Sequence, residues 1–131
     1  MGLVNNADGT LTDESNGLMW QVDEDGEEKK YGQALACCHL LDLAGYDDWR
    51  LPKKEELQLL AKVDFQDLQK LFPSIQDERY WAESSEDELW WAENPGKIAY
   101  TVDFDPGSSN YGRAVTYFRV YSYFVRAARS I

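Results

Sequence analysis

One stretch of the sequence decides the fold class: Ile98-Ala99-Tyr100-Thr101-Val102-Asp103-Phe104. Its large apolar side chains recur at every second residue, which is the period of a β-strand, because successive side chains of a strand point to opposite faces. Before Pro73 the apolar residues recur at helical spacing instead, whereas 112–120 and 122–129 again have strand character. A helical first half followed by consecutive strands predicts an α+β fold with a small twisted antiparallel sheet.

The first half predicts a short hairpin followed by two main helices. The opening, 5–21, contains Asp-Gly and Asn-Gly pairs, which form turns between short strands. Apolar residues in 31–41 recur at helical spacing, and Gly45 favours the end of this first helix. Pro52 suits the first turn of a second helix, and 65–72 predicts a short third one.

Length and charge limit the possible classes of protein. The 131 residues, of which 44% are hydrophobic, suffice for one globular domain over 1–131. The formal net charge of −11 disfavours nucleic-acid binding, because such binding depends on Lys and Arg that displace counterions from phosphates. No apolar run reaches the ~18 residues of a membrane helix, and the start lacks the pattern of a signal peptide. We therefore expect no nucleic-acid partner and no membrane insertion.

The residue types do not predict a catalytic centre or a cofactor site. The single histidine, His39, lies in the predicted first helix with no nucleophile placed for it. Cys37 and Cys38 are adjacent and cannot form an ordinary disulfide with each other, so they are packing residues or free thiols. The weak candidates for a cation site lie in one oxygen-rich turn: Asp103, Asp105 and Asn110. Because turn formation alone explains these residues, we expect no metal site. Because no nucleophile is placed for the histidine, we also expect no enzyme activity and no cofactor.

Several stretches, in order along the chain, resemble one known family. They are DGTLTD at 8–13, GLMWQ at 17–21, LAGYDDWRLP at 43–52, Tyr80-Trp81, Val102-Asp103-Phe104 and YFVR at 123–126. The AGYDDWRLP block is the most specific of these. On these residues the chain resembles the Lcl C-terminal domain family, typified by the C-terminal domain of a bacterial collagen-like adhesin.

The resemblance implies a C-type-lectin-like fold that binds ligands at the cell surface or outside the cell and has no known catalysis. It also implies a disulfide, present in many members, between the first helix and the last strand. Cys38 occupies the first of these positions and Ala127 the second, so that disulfide is not available here. The sequence alone therefore leaves the compartment open.

Five residues of the family's motifs are interpreted as structural: Trp20, Trp49, Arg50, Pro52 and Arg126. Burial of a large apolar side chain contributes about 1.5–3 kcal/mol, which favours Trp49 as a core anchor over a role in a ligand site. Arg50 is expected to pair with an internal carboxylate, and its replacement by alanine to cost about 3–5 kcal/mol. Arg126 is expected to form a structural ion pair.

Charge is unevenly distributed near the end of the chain. Residues 106–131 contain four arginines and no acid, whereas 77–93 contain seven acids and one arginine. This asymmetry predicts a locally basic face on the last sheet of an acidic protein.

The same region predicts a binding surface. On a strand over 112–120, alternation is expected to turn Tyr117 and Arg119 towards solvent, and Phe118 and Val120 towards the core. Exposed tyrosine and arginine are typical of recognition surfaces, and at least one indole of the adjacent Trp90-Trp91 pair is expected to point outward. The expected ligand-binding residues are Trp90, Trp91, Tyr111, Arg113, Tyr117, Arg119 and Tyr121.

These expectations predict a non-enzymatic, adhesin-type domain that recognises a glycan or a surface protein. The sulfated polysaccharides implied by the resemblance require the local arginines to outweigh a net charge of −11, a difficulty that a protein partner does not meet. The alternative is a structural role, in which the domain forms a homo-oligomer within a larger surface or fibre protein. A third possibility, an enzyme related in fold to formylglycine-generating enzymes, is disfavoured because their cysteine pair near the chain end is missing.

Overall fold

Residues 2–131 of the computed structural model form three α-helices and two small antiparallel sheets. The helices are α1 (Tyr31–His39), α2 (Lys54–Leu60) and α3 (Phe65–Leu71). The strands are β1 (Leu3–Asn5), β2 (Thr10–Asp13), β3 (Leu18–Gln21), β4 (Arg79–Trp81), β5 (Ile98–Asp103), β6 (Ala114–Phe118) and β7 (Ala128–Ser130). The α+β class predicted from the change in periodicity is confirmed.

The first sheet joins the two ends of the chain. Its strand order is β1-β2-β3-β7, so the last strand pairs with the opening hairpin, with Leu18 opposite Ser130. A 3-10 turn links β2 to β3, and Gly17 ends that turn at a φ of 65°, a conformation that glycine adopts at little cost. The predicted hairpin over 5–21 is confirmed.

The second sheet has the order β4-β5-β6, with β5 in the centre. Val102 pairs with Ala114 at one end of the β5–β6 ladder, and Ile98 pairs with Phe118 at the other. The short strand β4 was not predicted from the sequence. The prediction of one strand over 122–129 was wrong, because this segment bridges β4 at Phe124 and joins the first sheet only from Ala128.

The helices are shorter than the sequence predicts. Helix α1 ends at His39, and α2 begins at Lys54 rather than at Pro52. Pro52 precedes the N-cap, Lys53, whose backbone N–H donates to the Glu56 carboxylate at 2.7 Å. The longest helix of the described chain has nine residues. None of the helices in residues 2–131 has the length and apolar character to cross a membrane.

The core consists of two clusters of buried side chains. The larger one joins α2 and α3 to the first sheet and to one face of the second, and it includes Trp20, Leu57 and Val102. The other joins α1 to the opposite face of the second sheet and includes Tyr31 and Trp81. The second sheet is therefore covered by a different helix on each face, which decides which of its side chains remain in solvent.

Candidate binding surface

Exposed aromatic side chains gather at one end of the second sheet. Phe118 closes β6 opposite Ile98, and its ring centroid lies 6.2 Å from that of Tyr121. Tyr100 lies two residues along β5 from Ile98, on the same face, and its hydroxyl accepts a hydrogen bond from Nε1 of Trp91 at 3.3 Å. We call Trp91, Tyr100, Phe118 and Tyr121 together the aromatic surface.

Three of these four side chains are about half exposed. The exposed fraction is 52% for Trp91, 55% for Phe118 and 51% for Tyr121. The neighbouring Trp90 and Val120 are 81% and 71% exposed. Single exposed apolar residues are ordinary, but several that adjoin one another mark an interaction site.

The length of α2 explains where the aromatic surface begins. The helix packs on β5, and its Leu57 shares a core cluster with Val102. Lys54, the first residue of the helix, places its ammonium group 4.7 Å from the centroid of the Tyr100 ring. Phe118 lies farther along the same face, past the start of the helix, and is left in solvent.

The predicted facing of β6 was therefore wrong at its end. Phe118 and Val120 are exposed rather than in the core. Tyr117 is half-buried on the face covered by α1, with its ring 5.3 Å from that of Tyr123 and the Arg79 guanidinium 4.7 Å above it. Both faces of the strand carry apolar residues, and the reach of the two helices decides which of them are covered.

The late arginines do not form a free cationic face. Arg119 donates from Nε to a backbone carbonyl of β5 at 2.9 Å and lies 4.5 Å from the centroid of the Tyr31 ring. Arg129 donates two hydrogen bonds, of 2.6 and 3.1 Å, to the Asp48 carboxylate. Of the four, Arg113 alone is exposed without an ion-pair partner in the described part of the chain. The predicted basic face is thus mostly used for internal contacts.

Arg126 belongs to a buried network. Its guanidinium is 1% exposed, lies 3.2 Å from the Glu24 carboxylate and donates to the carbonyl of Gln21 at 2.6 Å and to that of Val22. The hydroxyl of Tyr80 donates to the same carboxylate. Burial raises the pKa of Glu24 above its ordinary value, although the charge of Arg126 and the hydrogen bond from Tyr80 oppose this shift. The sequence predicted an ion pair for Arg126 but not its partner.

Arg50 pairs with Glu56 through two parallel hydrogen bonds of 2.8 and 2.9 Å. The two side chains are 21% and 16% exposed, so the pair is less buried than predicted. We therefore lower the expected cost of Arg50→Ala to about 1.5–3 kcal/mol, the range for hydrogen bonds to charged groups. Burial favours a higher pKa for Glu56, but hydrogen bonds from Arg50 and from the Lys53 backbone outweigh it and lower the pKa. Trp49 and Trp20 are buried in the two core clusters.

Tyr111 lies at the other end of the second sheet from Phe118. Its ring packs 6.5 Å from that of Phe104, and its hydroxyl is buried without a hydrogen-bond partner among residues 2–131. It lines a shallow groove of about 580 Å³ beside α2. Arg113 lies near this end as well, so the structure separates Tyr111 and Arg113 from the aromatic surface.

In the oxygen-rich turn after β5, both aspartate side chains accept hydrogen bonds from the backbone of the turn itself. Asp103 accepts a hydrogen bond from the backbone of Asp105 at 2.8 Å and lies 3.6 Å from the Arg79 guanidinium. Asp105 accepts from the backbone two residues farther on, and the backbone of Asn110 donates to Ser108. Within residues 2–131 no group of three or more His, Cys, Asp or Glu side chains is arranged to hold a metal ion.

The cysteines are free thiols in different environments. Cys37 is exposed and Cys38 is buried, and burial raises the pKa of the Cys38 thiol. Cys38 and Ala127 belong to the same core cluster and line the same cavity of about 220 Å³. The structure therefore brings together the two positions between which the resemblance implies a disulfide. His39, next to Cys38 in the chain, is exposed at the end of α1.

Fold and sequence together define the class of this protein. It is an α+β domain in which two small antiparallel sheets and three helices leave a set of aromatic side chains in solvent. Residues 9–129 match the Lcl C-terminal domain. The chain belongs to the Lcl C-terminal domain family, as the resemblance implied. A search of curated proteins finds no match.

Proposed function

We propose that this domain is a non-enzymatic binding module and that its ligand, a glycan or a surface protein, lies on the aromatic surface. The proposal is carried by one observation: Trp91, Phe118 and Tyr121 are each about half exposed at one end of the second sheet, where Tyr100 links Trp91 to the strands. Burying the exposed half of such a ring in a complex contributes on the order of 1 kcal/mol, so several adjoining rings together supply a substantial part of the affinity.

The residues expected to bind from the sequence are reassigned under this proposal. Trp90, Trp91 and Tyr121 stay in the binding set, and Tyr100 and Phe118 join it. Tyr117 and Arg119 are supporting residues, because their side chains contact the opposite face of the sheet and Tyr31. Tyr111 and Arg113 lie outside the site, at the other end of β6.

A C-type-lectin-like fold is part of the same proposal. Two features support it: the last strand closes the first sheet by pairing with the opening hairpin, and a long irregular segment, 82–97, connects the neighbouring strands β4 and β5. That segment carries Trp91 to the aromatic surface, and the exposed Trp90 precedes it in the chain. In this fold the segment presents side chains to a ligand while the sheets hold it in place.

A paired variant tests the proposed function. Trp91→Ala with Phe118→Ser removes two exposed rings, and Leu40→Ser, at the end of α1, removes an apolar side chain that is 83% exposed. Both proteins, with the unaltered domain, are applied to an array of glycans and purified surface proteins. We expect every ligand retained by the unaltered domain to bind the double variant at least about tenfold more weakly, and to bind the Leu40→Ser protein equally well. Equal binding of all three proteins contradicts the proposal, as does an array that retains none of them.

A second candidate function is self-association. Strand β6 is an edge of its sheet with β5 as its one neighbour there, and edge strands pair readily with another chain. Phe118 and Val120 at its end provide apolar area for such a contact. Light scattering after size exclusion distinguishes the candidates: a dimer that Phe118→Ser dissociates supports self-association, whereas a monomer at millimolar concentration removes it.

A further inference from the structure

We infer that the ligand of the aromatic surface is a cationic segment of a protein, whose lysine or arginine side chains lie against the exposed indoles. This inference rests on the proposed function and narrows its ligand class. It departs from the sulfated polysaccharides that the family resemblance implies. The charges that surround the rings favour a cation over an anion.

The segment that carries the indoles is strongly acidic. Residues 83–97 contain five carboxylates and one lysine, in addition to Trp90 and Trp91. Glu86, Asp87 and Glu93 are exposed and form no ion pair among residues 2–131. The carboxylate of Glu86 lies 4.0 Å from the position that a Cβ on Gly96 would take, in the turn that leads directly into β5. Unpaired negative charge therefore borders the aromatic surface.

The cation closest to the Tyr100 ring is already compensated by carboxylates. The Lys54 ammonium group, which lies over Tyr100, is 2.9 Å from a carboxylate oxygen of Glu55 and 3.1 Å from one of Glu88. Arg119, the nearest arginine in sequence to Phe118, donates to a backbone carbonyl and stacks on Tyr31. Arg119 and the exposed Lys97 have no carboxylate partner among residues 2–131, but the unpaired Glu86, Asp87 and Glu93 outnumber them. An anionic ligand would meet net repulsion here.

A cationic segment satisfies both features of the site. A guanidinium or ammonium group is attracted to the face of an indole, and the Trp90 indole, which is 81% exposed, is accessible to such a group. The neighbouring carboxylates attract such a group electrostatically within the ~8–10 Å over which salt leaves charges unscreened. A cation that reaches one of them also donates a charge-assisted hydrogen bond. The net charge of −11 also attracts cations at longer range and speeds their association.

Three variants and three probes test the inference by calorimetry. The probes are an eight-residue peptide of alternating arginine and leucine, a heparin octasaccharide and a neutral cello-oligosaccharide. The aromatic variant is Trp90→Ala with Trp91→Ala. The charge variant is Glu86→Gln with Asp87→Asn and Glu93→Gln. The matched control neutralises three exposed acids of the first half of the chain: Glu14→Gln, Asp42→Asn and Asp47→Asn.

We expect the arginine peptide to bind the unaltered domain, and to bind the aromatic and charge variants at least about tenfold more weakly. The matched control, which has the same net charge as the charge variant, is expected to lose less than about threefold. Affinity is also expected to fall between 50 and 200 mM salt.

The remaining outcomes separate the two proposals. If the neutral oligosaccharide binds the unaltered domain and its binding is lost in the aromatic variant alone, the inference of a cationic ligand is overturned but the proposed function is supported. Heparin that binds more tightly than the peptide overturns the inference, as does equal loss of the peptide in the charge variant and the matched control. Probes that bind all variants equally overturn both proposals, and a peptide that fails to bind at millimolar concentration overturns the inference.

Discussion

Replacing Arg126 with methionine is expected to lower the free energy of unfolding by about 3–5 kcal/mol at pH 7. Methionine fills most of the same volume beside Phe72, whose ring centroid lies 4.6 Å from the guanidinium. The variant loses the pair with Glu24 and two hydrogen bonds to backbone carbonyls. Since the Glu24 side chain is 2% exposed, its carboxylate is left buried with Tyr80 as its remaining donor. This unpaired charge is the main source of the loss.

The pH dependence identifies that source. Arg126 is the strongest influence that lowers the pKa of Glu24, so its removal lets burial raise the pKa further. The folded variant then holds the proton more firmly than the unfolded chain, whose carboxyl keeps its ordinary pKa of 4.5. The deficit is therefore largest at pH 7 and shrinks as pH falls through the folded pKa towards 4.5.

Urea denaturation followed by tryptophan fluorescence measures this deficit, with Arg113→Met as the control because Arg113 is exposed and unpaired in the described chain. Adding Glu24→Gln to the Arg126→Met variant is expected to restore at least about 1 kcal/mol at pH 7, because it removes the unpaired charge. A deficit below about 1 kcal/mol, or the same deficit at pH 4.5 and pH 7.5, would refute the reasoning.

Three further predictions concern the helices and the cavity. Ala127→Cys is expected to form a disulfide with Cys38 on oxidation and to raise the melting temperature by an amount that reduction reverses. Closing a loop of about 90 residues stabilises the domain by up to roughly 4–5 kcal/mol. A free-thiol count that oxidation leaves unchanged would contradict this prediction. The Arg50 pair lowers the pKa of Glu56 in the folded state, so Glu56 contributes stability above about pH 4.5 that is lost as pH falls through the lowered pKa. Glu56→Gln is therefore expected to remove this pH-dependent part of the stability. Melting temperatures that shift equally with pH in both proteins would disagree. Gly32→Ala is expected to stabilise α1 by roughly 0.5–1 kcal/mol, since no atom lies within 4 Å of the added methyl group, and a lower melting temperature would argue against it.

The helices could be predicted because each buries one face. The helical spacing within 31–41 indicated α1, and its buried residues Tyr31, Ala34 and Cys38 do lie on one side. The segment 124–128 could not be assigned in this way, because all five of its residues are buried as it passes from one sheet to the other. A run that is buried on every side carries no periodicity, so the sequence could not indicate its change of partner.

The candidate site was predictable in part. The adjacency of Trp90 and Trp91 required at least one indole to face outward, and both do. The exposure of Phe118 could not be predicted, because it depends on how far α2 extends along the sheet rather than on any residue near Phe118. Its hydrophobicity instead favoured the core.

The partner of Arg126 was also beyond the reach of the sequence. Asp23, Glu24 and Asp25 are consecutive acids in one turn, and the pattern does not distinguish them. The fold turns Glu24 inward and leaves its two neighbours exposed. Electrostatic partners that are far apart in sequence depend on the complete arrangement of the chain, whereas periodicity reports only local geometry.

The arrangement of the first sheet has a practical consequence for engineering. Leu3 lies opposite Asp13, Asp13 opposite Leu18, and Leu18 opposite Ser130, so both outer strands of the sheet reach the same side of the domain. Three strand spacings, about 14 Å in total, separate them. A bridge of about six residues is long enough to join these positions. Circular permutants with new termini elsewhere in the chain should therefore fold, and the domain can be grafted as a single insert into a surface loop of another protein.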